Sequence, residues 1–169
     1  MKKYWYKWLL FLLIAIICQV VNKFYFPIPE IIKLEFSTTA ELMLTNILSI
    51  APTPERCFYI LKYNTIIDYV FILAFTFLLF YSFKILLTSF SYRINSWIII
   101  LCLATGFFDI IENYFLLKSA ILNIANFSQI FLWAVRIKWI FSIVPIIIIP
   151  ITFIYVLYKI IKHQIQNRA

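Results

Sequence analysis

Glycine is almost missing from this chain: Gly106 is the only one among 169 residues. Soluble domains use glycine far more often, in turns and in the loops that bind phosphate groups. Histidine is equally scarce, since His163 in the basic C-terminal tail is the only one. The sequence therefore argues against a loop-rich soluble domain, a phosphate-binding loop, a histidine metal centre and a haem site.

Cysteine and acidic residues are also few. Cys18 and Cys102 lie in apolar runs and Cys57 stands alone, so no pairing or CxxC spacing is present. We expect no disulfide, no metal site and no cofactor. Seven acidic residues face fifteen basic ones, for a net charge of +8. The cations stand near the ends of apolar runs, which indicates membrane topology and argues against nucleic-acid binding.

Apolar residues make up most of the chain, at 64% of the sequence, and 20% of all residues are aromatic. The apolar runs are near twenty residues long and continuous, which predicts transmembrane helices rather than a β-barrel. We predict an all-α, integral membrane four-helix bundle that forms a single domain over 1–169. The predicted spans are about 8–26, 66–87, 96–122 and 133–161.

The long polar stretch between the first two spans is predicted to form a small helical cap over about 37–64. Thr38 and Glu41 have the spacing of a capping box at a helix start. Thr53 and Pro54 fit an N-cap followed by the first position of a helix that runs into the second span.

The distribution of charge predicts the orientation of the chain. With the N-terminus inside, the cytoplasmic side carries only cations, whereas the cap balances its cations with four glutamates. This asymmetry favours cytoplasmic N- and C-termini and an extracytoplasmic cap. The cytoplasmic cations are Lys2, Lys3, Lys7, Lys84, Arg93, Lys159, Lys162 and Arg168, and the glutamates of the cap region are Glu30, Glu35, Glu41 and Glu55.

The third span contains charged residues at a depth where lipid is expected. Asp109, Glu112 and Asn113 follow Gly106 within this span. At 100° per residue they share one face of a helix. Because a charge inside a bilayer is costly, it usually has a partner or a function.

Residues of the two neighbouring spans complete a predicted polar site. Asp68 lies near the start of the second span, and Lys138 near the start of the fourth. Lys138 shares a face with Ser142, whereas Arg136 lies about 200° away and is expected to reach the interface. The predicted site residues are Asp68, Asp109, Glu112, Asn113, Lys138 and Ser142, with Tyr69, Tyr114 and Arg136 as secondary members.

These motifs resemble an uncharacterised family of small bacterial four-helix membrane proteins. The resemblance rests on the Asp109-Ile-Ile-Glu-Asn113 motif in the third span, on Asp68 with Phe71, and on the pair Lys138-Trp139. It covers roughly 35–160 and extends to the cap segments around Glu41 and Glu55. The resemblance implies a multi-pass protein of the bacterial cytoplasmic membrane, and it implies no activity.

The predicted site has three carboxylates and one ammonium group. In a poor dielectric, either some carboxylates are protonated or a cation or basic ligand supplies the missing charge. This favours binding or transport of a cation, a proton or a small basic or lipid-like ligand. Two alternatives remain open: a membrane-embedded enzyme acting on a lipid-like substrate, and an accessory subunit, homo-oligomeric or bound to another membrane protein, whose polar network only holds helices together.

Overall fold

The computed structural model describes residues 2–26, 35, 37–50, 52–90, 92, 94–122 and 125–166. Within these residues all secondary structure is helical, which confirms the predicted all-α class. Glu30, Arg93 and Arg168 lie outside the described residues. The helices in chain order are α1 (Lys2–Tyr25), α2 (Ala40–Leu48), α3 (Pro54–Ser89), α4 (Ser96–Leu122) and α5 (Ala125–Gln166).

Four of these helices are long and apolar enough to cross a membrane, as the sequence predicts. The apolar stretches are Tyr4–Tyr25, Glu55–Ser89, Ser96–Lys118 and Gln129–Lys162. At 1.5 Å per residue, the 36 residues of α3 extend about 54 Å. A bilayer core is about 30 Å thick, so α3 is long enough to extend beyond it.

The long helices pack in an alternating up-and-down arrangement. The start of α1 meets the end of α3, where Trp8 Nε1 donates to Ser82 Oγ at 2.8 Å. At the other end, Asn64 Nδ2 donates to the carbonyl of Phe26 at 2.9 Å. The next helix, α4, packs between α3 and α5, and α5 also contacts α3.

Gly106 lies where α3 and α4 approach each other closely. A Cβ atom at this position would lie 2.5 Å from Thr76 Oγ1 and 3.4 Å from Ile72 Cγ2. Small residues allow such close contact between membrane helices. The chain's one glycine therefore allows α3 and α4 to approach closely one turn before Asp109.

Two apolar clusters occupy opposite ends of the bundle. We call them the α2 cluster and the Trp8 cluster. The buried residues of the α2 cluster are Met43, Ile47, Cys57, Leu61, Leu116, Phe131, Leu132 and Val135. Those of the Trp8 cluster are Trp8, Leu78, Ile85 and Val156.

The predicted cap does not form a separate element on the bundle. Its described part consists of α2, which packs against α3, α4 and α5, and of the first turns of the continuous helix α3. The Cys57 thiol donates to the carbonyl of Ile47 at 2.9 Å and joins the two helices. The structure thus does not support a cap that is separate from the bundle, because α2 buries its apolar face, including Met43, in the bundle core.

Two helix starts also differ from the prediction. The N-cap of α2 is Thr39 rather than Thr38, and its Oγ1 accepts the N–H of Leu42 at 3.2 Å. Helix α5 begins at Ala125, ahead of the predicted span start at 133, because Phe131 and Leu132 pack into the α2 cluster. Thr53 caps α3 and Pro54 begins it, as predicted.

Candidate functional site

Lys138 is the centre of a charged cluster inside the bundle. It lies on α5, one turn after the last residue of the α2 cluster. Its Nζ atom lies 2.6 Å from Glu112 Oε2, 3.0 Å from Glu35 Oε1 and 3.4 Å from Asp109 Oδ1. One ammonium group therefore contacts three carboxylates.

The helical period of α4 explains why two of these carboxylates reach the same ammonium. Asp109 and Glu112 stand three positions apart and so lie on neighbouring turns of one helix face. The Lys138 side chain is 12% exposed and that of Glu112 only 6%. Glu112 Oε2 contacts Lys138 as an ion pair, without a well-directed hydrogen bond. Charges buried to this extent require such partners.

Glu35 also belongs to the cluster, although the sequence predicts it only as a glutamate of the cap region. It lies 103 positions before Lys138, and its side chain is 11% exposed. Its second oxygen, Oε2, accepts a hydrogen bond from Trp139 Nε1 at 3.1 Å. The adjacent donors Lys138 and Trp139 thus hold both oxygens of one carboxylate. Apart from these two adjacent donors, the sequence contains no signal for a further carboxylate at this site, and it does not identify Glu35.

Asp68 stands beside the cluster and has a different partner. Asn113 Nδ2 donates to Asp68 Oδ2 at 2.6 Å, and Asn113 is 5% exposed. Because Asn113 follows Glu112 directly, this bond connects α3 to the part of α4 that contacts Lys138. The structure therefore places Asp68, Asp109, Glu112 and Lys138 in one region of the bundle. Lys138 contacts Asp109 and Glu112 directly, and Asp68 is connected to them through Asn113.

The other predicted residues lie outside these contacts. Ser142 Oγ donates to the Lys138 carbonyl at 2.9 Å, a bond within α5. Arg136 is exposed, with its guanidinium carbon 5.4 Å from the centre of the Trp133 ring. Tyr114 is 49% exposed, and Tyr69 is half-buried. Among the described residues, neither Tyr69 nor Tyr114 forms a hydrogen bond with Lys138.

The arrangement is rich in carboxylates, and these carboxylates surround an ammonium group. The described residues contain no group of three or more His, Cys, Asp or Glu side chains arranged to hold a metal ion. The ammonium of Lys138 lies among the carboxylates, where a cation would otherwise be expected.

An apolar cleft of about 400 Å³ lies between α1, α3 and α5, apart from the cluster. Its lining includes Leu12, Phe75, Leu78 and Ile149, and among the described residues that line it Lys23 is the one with a charge. None of the carboxylates around Lys138 lines this cleft. The charged site and the cleft are therefore distinct features of the bundle.

Fold and site together define a class: a helical bundle with four candidate membrane-spanning helices and a buried lysine–carboxylate cluster. Comparisons with models of protein families, with curated proteins and with solved structures found no match.

Proposed function

We propose that this protein binds or transports a cation, a proton or a small basic or amphiphilic ligand at the Lys138 cluster. The observation that carries the proposal is the excess of negative groups. Lys138 contacts Glu35, Asp109 and Glu112, and Asp68 lies next to them through Asn113. If all four carboxylates were ionised, their negative charges would outnumber the single ammonium by three.

Such an excess is unfavourable inside a membrane, because a poor dielectric strengthens repulsion between like charges. Protons on the carboxylates or a bound cation would remove it. Either solution couples the charge state of the cluster to the concentration of a small cation. That coupling is what a binding or transport site for cations requires.

The test uses the isosteric variants Asp109→Asn and Glu112→Gln in the full chain, reconstituted in proteoliposomes. Proton flux is followed with an internal pH-sensitive dye, and binding of octylammonium, a small basic amphiphile, by titration calorimetry. The matched control is Glu41→Gln, because Glu41 is an exposed carboxylate on α2, outside the cluster.

We expect the wild type and the Glu41→Gln control to bind the probe or to conduct protons. The cluster variants should bind about tenfold more weakly, a loss of about 1.4 kcal/mol, or lose the flux. Unchanged binding and flux in both cluster variants would refute the proposal, and so would a wild type that shows neither activity.

A second candidate is an accessory or structural role, favoured by the direct contacts between Lys138 and its carboxylates. A mutually bonded network can serve only to hold helices together or to support docking of a partner. This role predicts recovery of a stoichiometric membrane protein partner or of a defined homo-oligomer from mild detergent. A monomer without partner would contradict it.

We further propose that the protein belongs to the bacterial four-helix family that its motifs resemble. Its termini would face the cytoplasm, and α2 and the Lys138 cluster would lie in the extracytoplasmic half of the bundle. Support comes from Lys7, Lys84 and Lys159, which contact aromatic rings at the Trp8 end of the bundle. A fluorescent protein fused to the C-terminus should fluoresce in cells, and its failure to do so would oppose this orientation.

A further inference from the structure

Two lysines at the Trp8 end of the bundle lie on a pair of adjacent tyrosine rings. Lys84 Nζ is 4.5 Å from the centre of the Tyr4 ring, and Lys7 Nζ is 5.7 Å from the centre of the Tyr81 ring. The two ring centres are 6.4 Å apart. Because the tyrosines come from α1 and α3, the ring pair brings a lysine of each helix to one place.

These two ammonium groups have no carboxylate partner among the described residues, whose ion pairs all involve Lys138. All seven acidic residues of the chain lie between positions 30 and 112. Apart from Glu35, the described acidic residues lie on α2, on α4 and in the first half of α3. None of the described acidic residues lies on α1. The tyrosine faces attract the ammonium groups, but they do not neutralise the charge.

The N-terminal end of α1 adds positive charge near the Tyr4–Tyr81 ring pair. Tyr4 and Lys7 lie in the first two turns of α1, which begins at Lys2 and has no acidic residue in its first turn. The first turn of a helix leaves backbone N–H groups without intrahelical acceptors, and the helix dipole is positive there. An anion at this end would meet two ammonium groups and the positive end of a helix.

We propose that Lys7 and Lys84 bind the phosphate of an anionic phospholipid on the Tyr4–Tyr81 ring pair. A lipid is the expected source of this phosphate, because the pair lies at the ends of two apolar helices long enough to span a membrane. Tyrosine and lysine at such ends stand at the level of the lipid headgroups. Basic pockets between membrane helices bind anionic headgroups through the same interactions.

The ring contacts give this site a feature that scattered surface lysines lack. Lys84 is half-buried, and its Nζ also lies 5.6 Å from the centre of the Phe80 ring. Contact with two aromatic rings restricts where the ammonium can go, so less side-chain entropy is lost when a headgroup binds. The proposal does not depend on the function proposed for the Lys138 cluster.

The test measures lipid binding to the full chain by native mass spectrometry in detergent. Dioleoyl phosphatidylglycerol and dioleoyl phosphatidylcholine serve as the anionic and zwitterionic probes. The test variant is Lys7→Gln/Lys84→Gln, and Lys7→Arg/Lys84→Arg is the charge-preserving variant. The matched control is Lys62→Gln, because Lys62 Nζ lies over the Tyr63 ring at 5.8 Å, at the opposite end of α3.

We expect the wild type to prefer phosphatidylglycerol, and the double glutamine variant to lose about tenfold to thirtyfold of this affinity. The Lys62→Gln control and the double arginine variant should keep the preference. Equal binding of the two lipids by the wild type, or an unchanged preference in the double glutamine variant, would overturn the proposal. Soluble glycerol phosphate should not compete, and competition at equal concentration would contradict a lipid source.

Discussion

Lys138 and Lys84 lie in apolar surroundings on different helices, and their partners differ in kind. Lys138 is 12% exposed and contacts three carboxylates. Lys84 lies over the rings of Tyr4 and Phe80, with no ion pair among the described residues. A cation deep in a bundle requires opposite charge, whereas one near a helix end can use aromatic faces and the lipid headgroups.

The contacts that join the helices also differ between the surroundings of Lys138 and the Trp8 end of the bundle. Near Lys138 the helices are joined by ion pairs and by the Asn113–Asp68 bond. At the Trp8 end they are joined by a neutral bond from Trp8 to Ser82 and by stacked rings, such as Phe11 on Phe77 at 5.0 Å. The helix contacts around Lys138 should be sensitive to the loss of a single charged group. The contacts between helices at the Trp8 end include no ion pair among the described residues and should tolerate the loss of a single group better.

Replacing Lys138 with Met should produce the largest effect. The change leaves three buried carboxylates without their ammonium partner. Removing one partner of a buried ion pair costs about 3–5 kcal/mol of unfolding free energy. The measurement is reversible unfolding in detergent micelles, followed by intrinsic fluorescence.

Arg136→Met is the matched control, two positions earlier on α5. Arg136 is exposed and contacts the Trp133 ring, so its loss should cost less than about 1 kcal/mol. Equal losses of unfolding free energy in the two variants would contradict the comparison. They would show that the buried ion pairs of Lys138 stabilise the bundle no more than the exposed contact of Arg136 does.

An intermediate effect is expected for Asn113→Leu. This change removes the donor that contacts Asp68 at 2.6 Å and keeps a side chain of similar size. The expected loss of unfolding free energy is about 1–2 kcal/mol. A hydrogen bond to a carboxylate stabilises more than a bond between neutral groups, but hydrogen bonds between membrane helices are weaker than those in water-soluble proteins. In the Asp68→Leu background the same change should cost much less, and a full loss there would show that the bond is not the cause.

The smallest effect is expected for Ser82→Ala at the Trp8 end of the bundle. Trp8 Nε1 then loses its acceptor, although Trp8 keeps its packing with Leu78 and Val156. Hydrogen bonds between membrane helices average about 0.6 kcal/mol, and we expect a loss of that size in the same unfolding measurement. A loss comparable to that of Lys138→Met would contradict the distinction between the two regions.

Helical periodicity within one element predicted which residues share a face of α4 and of α5. The 100° rotation per residue placed Asp109, Glu112 and Asn113 on one face and separated Lys138 from Arg136. The pairing of Asn113 with Asp68 could not be read in this way, because it depends on the relative height of α3 and α4. Gly106 of α4 lies close to Thr76 of α3, where the two helices approach each other.

The sequence by itself determined the helical class, the four apolar helices and the stripe of polar residues on α4, because these depend on local hydropathy and a fixed helical period. Only the tertiary structure decided that Glu35 joins Lys138 and that the predicted cap packs as part of the bundle. These contacts join residues as far as 103 positions apart. A contact of that kind depends on how the whole chain packs, since no periodic pattern connects its two members.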